Sequence, residues 1–212
     1  MVVTKNMVKV VSHPLVQTHL TQIRDINTNP YEFRNSCKIL GRYLVYEAIS
    51  NLNTREINVE TPVAKACGLV FTDYIILAPV LRAGLVLAEE AQAILPTARI
   101  YHIGLKRNEK TLEANSYYSN LPKMAPSSSV VYVLDPMLAT GGSALAACEL
   151  FYNLNVAQIN LVSIVCAPEG VAKIHAKFPQ IKITTASIDD CLNEHGYIVP
   201  GLGDCGDRLF AT

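Results

Sequence analysis

Four short runs constrain this chain more than any other feature: Tyr74-Ile75-Ile76-Leu77-Ala78, Arg99-Ile100-Tyr101-His102-Ile103, Val130-Val131-Tyr132-Val133-Leu134 and Leu161-Val162-Ser163-Ile164-Val165. A strand with one wet face alternates apolar and polar residues, whereas these runs send apolar side chains to both faces. Segments of helical length separate them. The pattern predicts an α/β fold, an open and mostly parallel sheet flanked by helices, with ligands bound at the carboxyl ends of the strands. No repeat, low-complexity tract or linker divides the 212 residues, so residues 1–212 are expected to form a single domain.

Ahead of the sheet, Leu15, Val16, Leu20, Ile23 and Ile26 fall at helical spacing. Asn29, Pro30 and Glu32 suit an N-cap, a first helical residue and a capping box. The stripe Phe33, Cys37, Leu40, Leu44 and Ala48 then predicts one buried face of a second helix. Alternation at Ile57, Val59 and Thr61 suggests a strand of a small β-flap.

Composition excludes several classes. With 18 basic and 18 acidic residues the chain has no net field to gather nucleic acid or anionic membrane, so neither is an expected partner. Neither a signal-like N-terminus nor an uninterrupted apolar run of about 18 residues is present, and a cytoplasmic location is expected. The six cysteines lack CxxC spacing and are read as small buried thiols. The five histidines (His13, His19, His102, His175, His195) form no triad and are read as structural or solvent-facing. Half the residues are hydrophobic and only 17% charged, which predicts surface covered by a partner subunit.

The chemistry concentrates after the third run. Asp135-Pro136-Met137-Leu138-Ala139-Thr140-Gly141-Gly142-Ser143 places one acid at a strand end, then a small-residue turn opening a helix near Gly142. Converging amides and the helix dipole make such a turn a phosphate site, and the glycines let the backbone approach the anion. Neither the Walker spacing nor GxGxxG is present. On local pattern alone, a capped helix N-terminus explains the same residues.

The full string resembles the 5-phosphoribosyl 1-diphosphate (PRPP) loop of uracil phosphoribosyltransferases, with Pro136 where type I phosphoribosyltransferases more broadly carry a second acid. Three further segments are similar to that family: Pro79-Val80-Leu81-Arg82-Ala83-Gly84-Leu85, to its pyrophosphate-holding element; residues 104–122, to its mobile loop; and residues 196–210, with Gly201-Leu202-Gly203-Asp204, to its uracil-binding segment. Departures are Cys205 and Ala211, where the family has Ala and Gly, and Val86-Leu87, where it has Gly-Met.

The resemblance implies a type I phosphoribosyltransferase fold with a C-terminal base-binding hood, and conversion of uracil and PRPP to UMP and pyrophosphate. It makes Asp135, Asp204 and Arg107 catalytic. PRPP would meet Arg82, Arg107, Asp204 and the loop residues Asp135, Pro136, Met137, Leu138, Ala139, Thr140, Gly141, Gly142 and Ser143. Uracil would meet Ile198, Gly203, Asp204 and Cys205. Mg²⁺ would be the cofactor, held through PRPP and water with no direct protein ligand. A homodimer or homotetramer is implied, with GTP as a candidate effector. The rivals are a phosphoribosyltransferase for another base, an RNA-binding regulator on the same fold, and a relative that binds nucleotide without catalysis.

Overall fold

The computed structural model describes residues 7–107 and 114–212, and side chains at 7–105 and 118–212. The Arg107 side chain, the charged stretch 108–110 and Tyr117, all assigned above to the closing loop, lie outside the described side chains.

The chain opens with β1 (Val8–Val10), α1 (Pro14–Arg24) and α2 (Pro30–Ala48), followed by the hairpin β2 (Thr54–Glu60) and β3 (Lys65–Phe71). Next come β4 (Tyr74–Leu81), α3 (Leu85–Ile94), β5 (Arg99–Ile100), β6 (Ile103–Arg107) and β7 (Ala114–Ser119). The second half holds β8 (Ser129–Leu134), β9 (Met137–Leu138), α4 (Gly142–Tyr152), β10 (Gln158–Cys166), α5 (Pro168–Lys177) and β11 (Lys182–Ile188). The chain closes with β12 (Cys191–Leu192), β13 (Ile198–Val199) and α6 (Cys205–Phe210).

The main sheet runs β1-β11-β10-β8-β4-β6-β7 and is parallel except for the β6–β7 pair, as the two-faced apolar runs require. Successive residues serve opposite layers. Ile75, Leu77, Tyr132 and Leu134 point to a core shared with α1, α2, α3 and α6, whereas Ile76, Ala78, Val131 and Val133 pack with α4 and α5. Each fully buried valine, leucine or isoleucine among them contributes about 1.5–3 kcal/mol of transfer free energy. Asn29 caps α2 as expected, its Oδ1 accepting the Glu32 N–H at 3.0 Å.

Three expectations change. The run 99–103 is two strands, β5 and β6, rather than one, because Pro79 of β4 has no N–H for the ladder where Tyr101 and His102 pass beside it. β11 was not anticipated, since its Thr184-Thr185 pair reads as polar. Both threonines are buried, and Thr185 Oγ1 is satisfied by donating to the Ile164 carbonyl at 3.0 Å. Cys67 and Cys191 are exposed, so the buried-thiol reading holds only for Cys37, Cys148, Cys166 and Cys205. No helix among the described residues is long and apolar enough to cross a membrane.

Candidate active site

A cleft of about 470 Å³ opens at the carboxyl ends of β4 and β8. One wall is the turn Arg82-Ala83 after β4, a second is the loop after β8, and the third is the C-terminal hood. Gly84 permits the first wall, since a Cβ there would collide with the carbonyl oxygens of Val80 and Leu134. The turn therefore lies pressed against the end of β8.

The second wall is mostly backbone. Met137 and Leu138 pair with Val165 and Cys166 at the end of β10, and the Pro136 carbonyl accepts the Ile164 N–H at 2.9 Å. Gly141 then adopts φ +75° and starts α4 without a side-chain cap. No acid occupies the first turn of that helix, so its uncapped amides and positive dipole end face the cleft with no carboxylate of the helix itself to offset them. Met137, Leu138, Ala139, Thr140, Gly141, Gly142 and Ser143 all line the cleft, whereas Pro136 is buried behind it.

Asp135 directly follows β8 and is half-buried at the cleft wall. Burial pushes its pKa up to about 7, against the weak opposing effect of the Met137 N–H at 3.4 Å. It does not cap α4, which excludes the capped-helix reading for this acid. A carboxylate so poorly supplied with donors is suited to accept hydrogen bonds from a ligand.

The hood brings Ile198, Gly203, Asp204 and Cys205 to the same cleft. Gly203 has φ +81°, a conformation that L side chains rarely adopt. Cys205 is buried, and its thiol pKa is raised first by a hydrogen bond with Cys37 and then by burial. Asp204 has a structural duty not foreseen above: it caps α6, accepting the Asp207 N–H at 2.9 Å. Its side chain is nonetheless exposed at the cleft.

Arg82 reaches across from the first wall. Its guanidinium lies 3.5 Å from Asp207 Oδ1 and 5.3 Å from the centre of the Phe210 ring. Asp207 was missed because nothing local separates it from the neighbouring Asp204. Tyr197 falls in the segment 196–210 read above as uracil-binding, whereas His195 lies just before it and reaches the cleft only through folding of the β12–β13 hairpin. His195 is solvent-facing as expected, and it also lies at the rim of the cleft. The backbone of Arg107 belongs to β6, whose Leu105 also lines the cleft. Among the described residues, no three His, Cys, Asp or Glu side chains gather as a cation cage.

Comparison with known proteins agrees with this geometry. Residues 10–212 match the family model of uracil phosphoribosyltransferase. A uracil phosphoribosyltransferase from Dictyoglomus turgidum is 49% identical over 207 residues, covering 97% of this chain and 100% of the relative. Another, from Roseiflexus sp., is 44% identical over 97% of this chain and 98% of its own length. The solved AQ2163 protein from Aquifex aeolicus superposes with a TM-score of 0.91 at 38% identity, covering 97% of this chain and 99% of that one. Adenine phosphoribosyltransferase from Leishmania donovani shares the fold at a TM-score of 0.57 and 18% identity, covering 97% of this chain and 95% of that one. With a family model spanning every cleft residue and relatives similar from end to end, the chain belongs to the uracil phosphoribosyltransferase family.

Proposed function

We propose that the chain is a pentosyltransferase that joins uracil to the ribose of PRPP, giving UMP and pyrophosphate. The observation that carries this reading is one cleft with two unlike ends: an uncapped helix start bare of acids, and a glycine-rich hood of backbone groups. The first suits phosphate. The second suits the imide edge of uracil, which both donates and accepts.

In the reaction, uracil N1 bonds to ribose C1 as the C1–O bond to pyrophosphate breaks with its electron pair, and the N1 proton passes to water. Positive charge grows on the sugar in between. Asp135 accepts hydrogen bonds from the ribose hydroxyls and opposes that charge, while Arg82, with Arg107 from the closing loop, binds the departing pyrophosphate. The exposed Arg82–Asp207 pair at 3.5 Å is worth no more than about 1 kcal/mol, so a pyrophosphate oxygen displaces it at little cost. Ile198, Gly203 and Cys205 contact the base.

The exposed carboxylates Asp204 and Asp207 are hard oxygen donors, which suits magnesium carried in by the substrate and met through its water shell. When bound, that ion neutralises pyrophosphate charge. Val63, Leu69 and Phe71 on the β2–β3 hairpin are exposed, and among the described residues the two strands pair with no third strand, which supports a homodimer or tetramer burying them. Residues 1–212 act as one domain, supported by Leu202, Cys205 and Leu209 of the hood packing into the sheet core. Unbridged cysteines suit the cytoplasm.

The test is purified protein with PRPP, magnesium and each nucleobase in turn, with and without GTP. Uracil is expected to give UMP. Equal turnover of hypoxanthine, or none with any base while PRPP still binds, overturns the assignment.

A further inference from the structure

We infer that Arg24 and Asp189 are positioning residues for the base: together they clamp both polar edges of Gly201 and so hold the loop that presents Ile198 and Gly203 to uracil. The inference rests on the function proposed above for the cleft.

Asp189 is 5% exposed, and neither residue lines the cleft. Asp189 Oδ2 accepts the Gly201 N–H at 2.9 Å, while Arg24 Nη1 donates to the Gly201 carbonyl at 2.7 Å. The two side chains lock each other through Nη1–Oδ2 at 2.8 Å and Nη2–Oδ1 at 2.6 Å, a bidentate fork. Ser187 Oγ adds a second donor to Oδ1 at 2.7 Å and accepts from Arg24 Nη2 at 3.2 Å. Burial alone would raise the Asp189 pKa, but the bonds from Arg24, Ser187 and Gly201 outweigh it and hold the carboxyl below its ordinary value.

Gly201 is the residue at which the loop needs such a clamp. It has φ +61°, and a Cβ there would strike the Ile198 carbonyl, so the backbone doubles back on a residue that faces the base. The clamp also joins the two ends of the cleft. The Asp189 N–H donates to the Cys166 carbonyl at 2.8 Å, and Cys166 pairs with Leu138 of the phosphate loop. One run of bonds, through the Asp189 carboxylate and then from backbone to backbone, thus sets the distance between the anion end and the base loop. A fork of two ionised groups holds that geometry because any shift of Gly201 would leave a buried charge or amide unpaired.

The test uses full-length Asp189→Asn and Arg24→Lys proteins, compared with wild type for uracil KM, PRPP affinity by calorimetry without base, and amide exchange. Asp189→Asn is expected to raise uracil KM roughly 10- to 100-fold, the span for losing a charge-assisted hydrogen bond. Amide exchange over 198–203 should quicken while that over 135–143, and PRPP affinity, stay as in wild type. Arg24→Lys keeps the charge without the fork and should fall between. Unchanged uracil KM in folded Asp189→Asn, or loss of PRPP affinity in step with uracil, overturns the positioning role. If wild type makes no UMP, the functional assignment fails instead, and the clamp stands or falls on whether exchange over 198–203 rises alone.

Discussion

The two ends of the cleft are built by different means. The phosphate loop is local: its nine residues follow one strand, its anion donors are backbone amides, and its shape follows from Gly141 and from pairing with β10. The hood is assembled from a distance. Arg24 reaches Gly201 across 177 residues of chain, and Arg208 donates to the carbonyls of Ile23, Asp25 and Leu202 while stacking 4.2 Å over the Phe33 ring. A site that grips phosphate needs only amides and a dipole. One that reads a base edge needs a loop held to a few tenths of an ångström, which here takes one largely buried ion pair, arginine bonds to carbonyls, and packing.

The strongest way to break the contrast is Asp135→Asn, which removes the only acid of the local end while keeping its size. A loss of kcat and kcat/KM together, about 10²- to 10³-fold, is expected from steady-state kinetics. Stability should move the other way. The Asp135 pKa is raised to about 7 in the folded protein, so the unfolded chain ionises first as pH climbs from about 4. Folded wild type therefore loses stability between about pH 4 and pH 7, by at most roughly 4 kcal/mol, and the loss persists above. Thermal melts should show Asp135→Asn gaining on wild type across that window, with a level difference at higher pH. A constant difference at all pH values would mean that Asp135 is not desolvated in the folded state.

Asp204 sharpens the comparison because it belongs to the hood yet caps a helix. Asn is as good an N-cap as Asp, so Asp204→Asn should melt like wild type while kcat falls, if charge at the ribosyl end matters. Asp204→Ala should lose about 0.5–2 kcal/mol of stability as well. Normal turnover in a well-folded Asp204→Asn protein would leave this residue a cap alone.

The smallest effect concerns Cys205. Its side chain is buried against Cys37, so Cys205→Ala leaves a gap of one sulfur atom, and a destabilisation near 1 kcal/mol is expected in denaturant melts. Uracil KM should change by less than about 3-fold, since the base meets this loop mainly through backbone. A larger change would show that the thiol itself contacts the base.

Much of the first end was legible without coordinates. The strand Val130-Val131-Tyr132-Val133-Leu134, Asp135 at its end and the helix beginning at Gly142 all follow from local pattern, and each is where the pattern puts it. Arg82 was legible as a turn residue after an apolar strand, but its partner Asp207 was not, because the two meet across 125 residues of chain. His195 shows the same limit: a lone histidine carries no signal of which wall it will line.

The layers follow from residue order, since two-faced apolar runs have no stable home except a covered parallel sheet, and so does the anion end, since glycines and a helix start act through neighbouring residues alone. That Asp204 caps a helix, that Asp135 is desolvated, and that Arg24 and Asp189 hold Gly201 emerge only from the folded chain. These depend on what comes to lie beside each group after the sheet closes. Desolvation and ion pairing are set by neighbours in space, and a residue 177 positions away becomes a neighbour only through the fold.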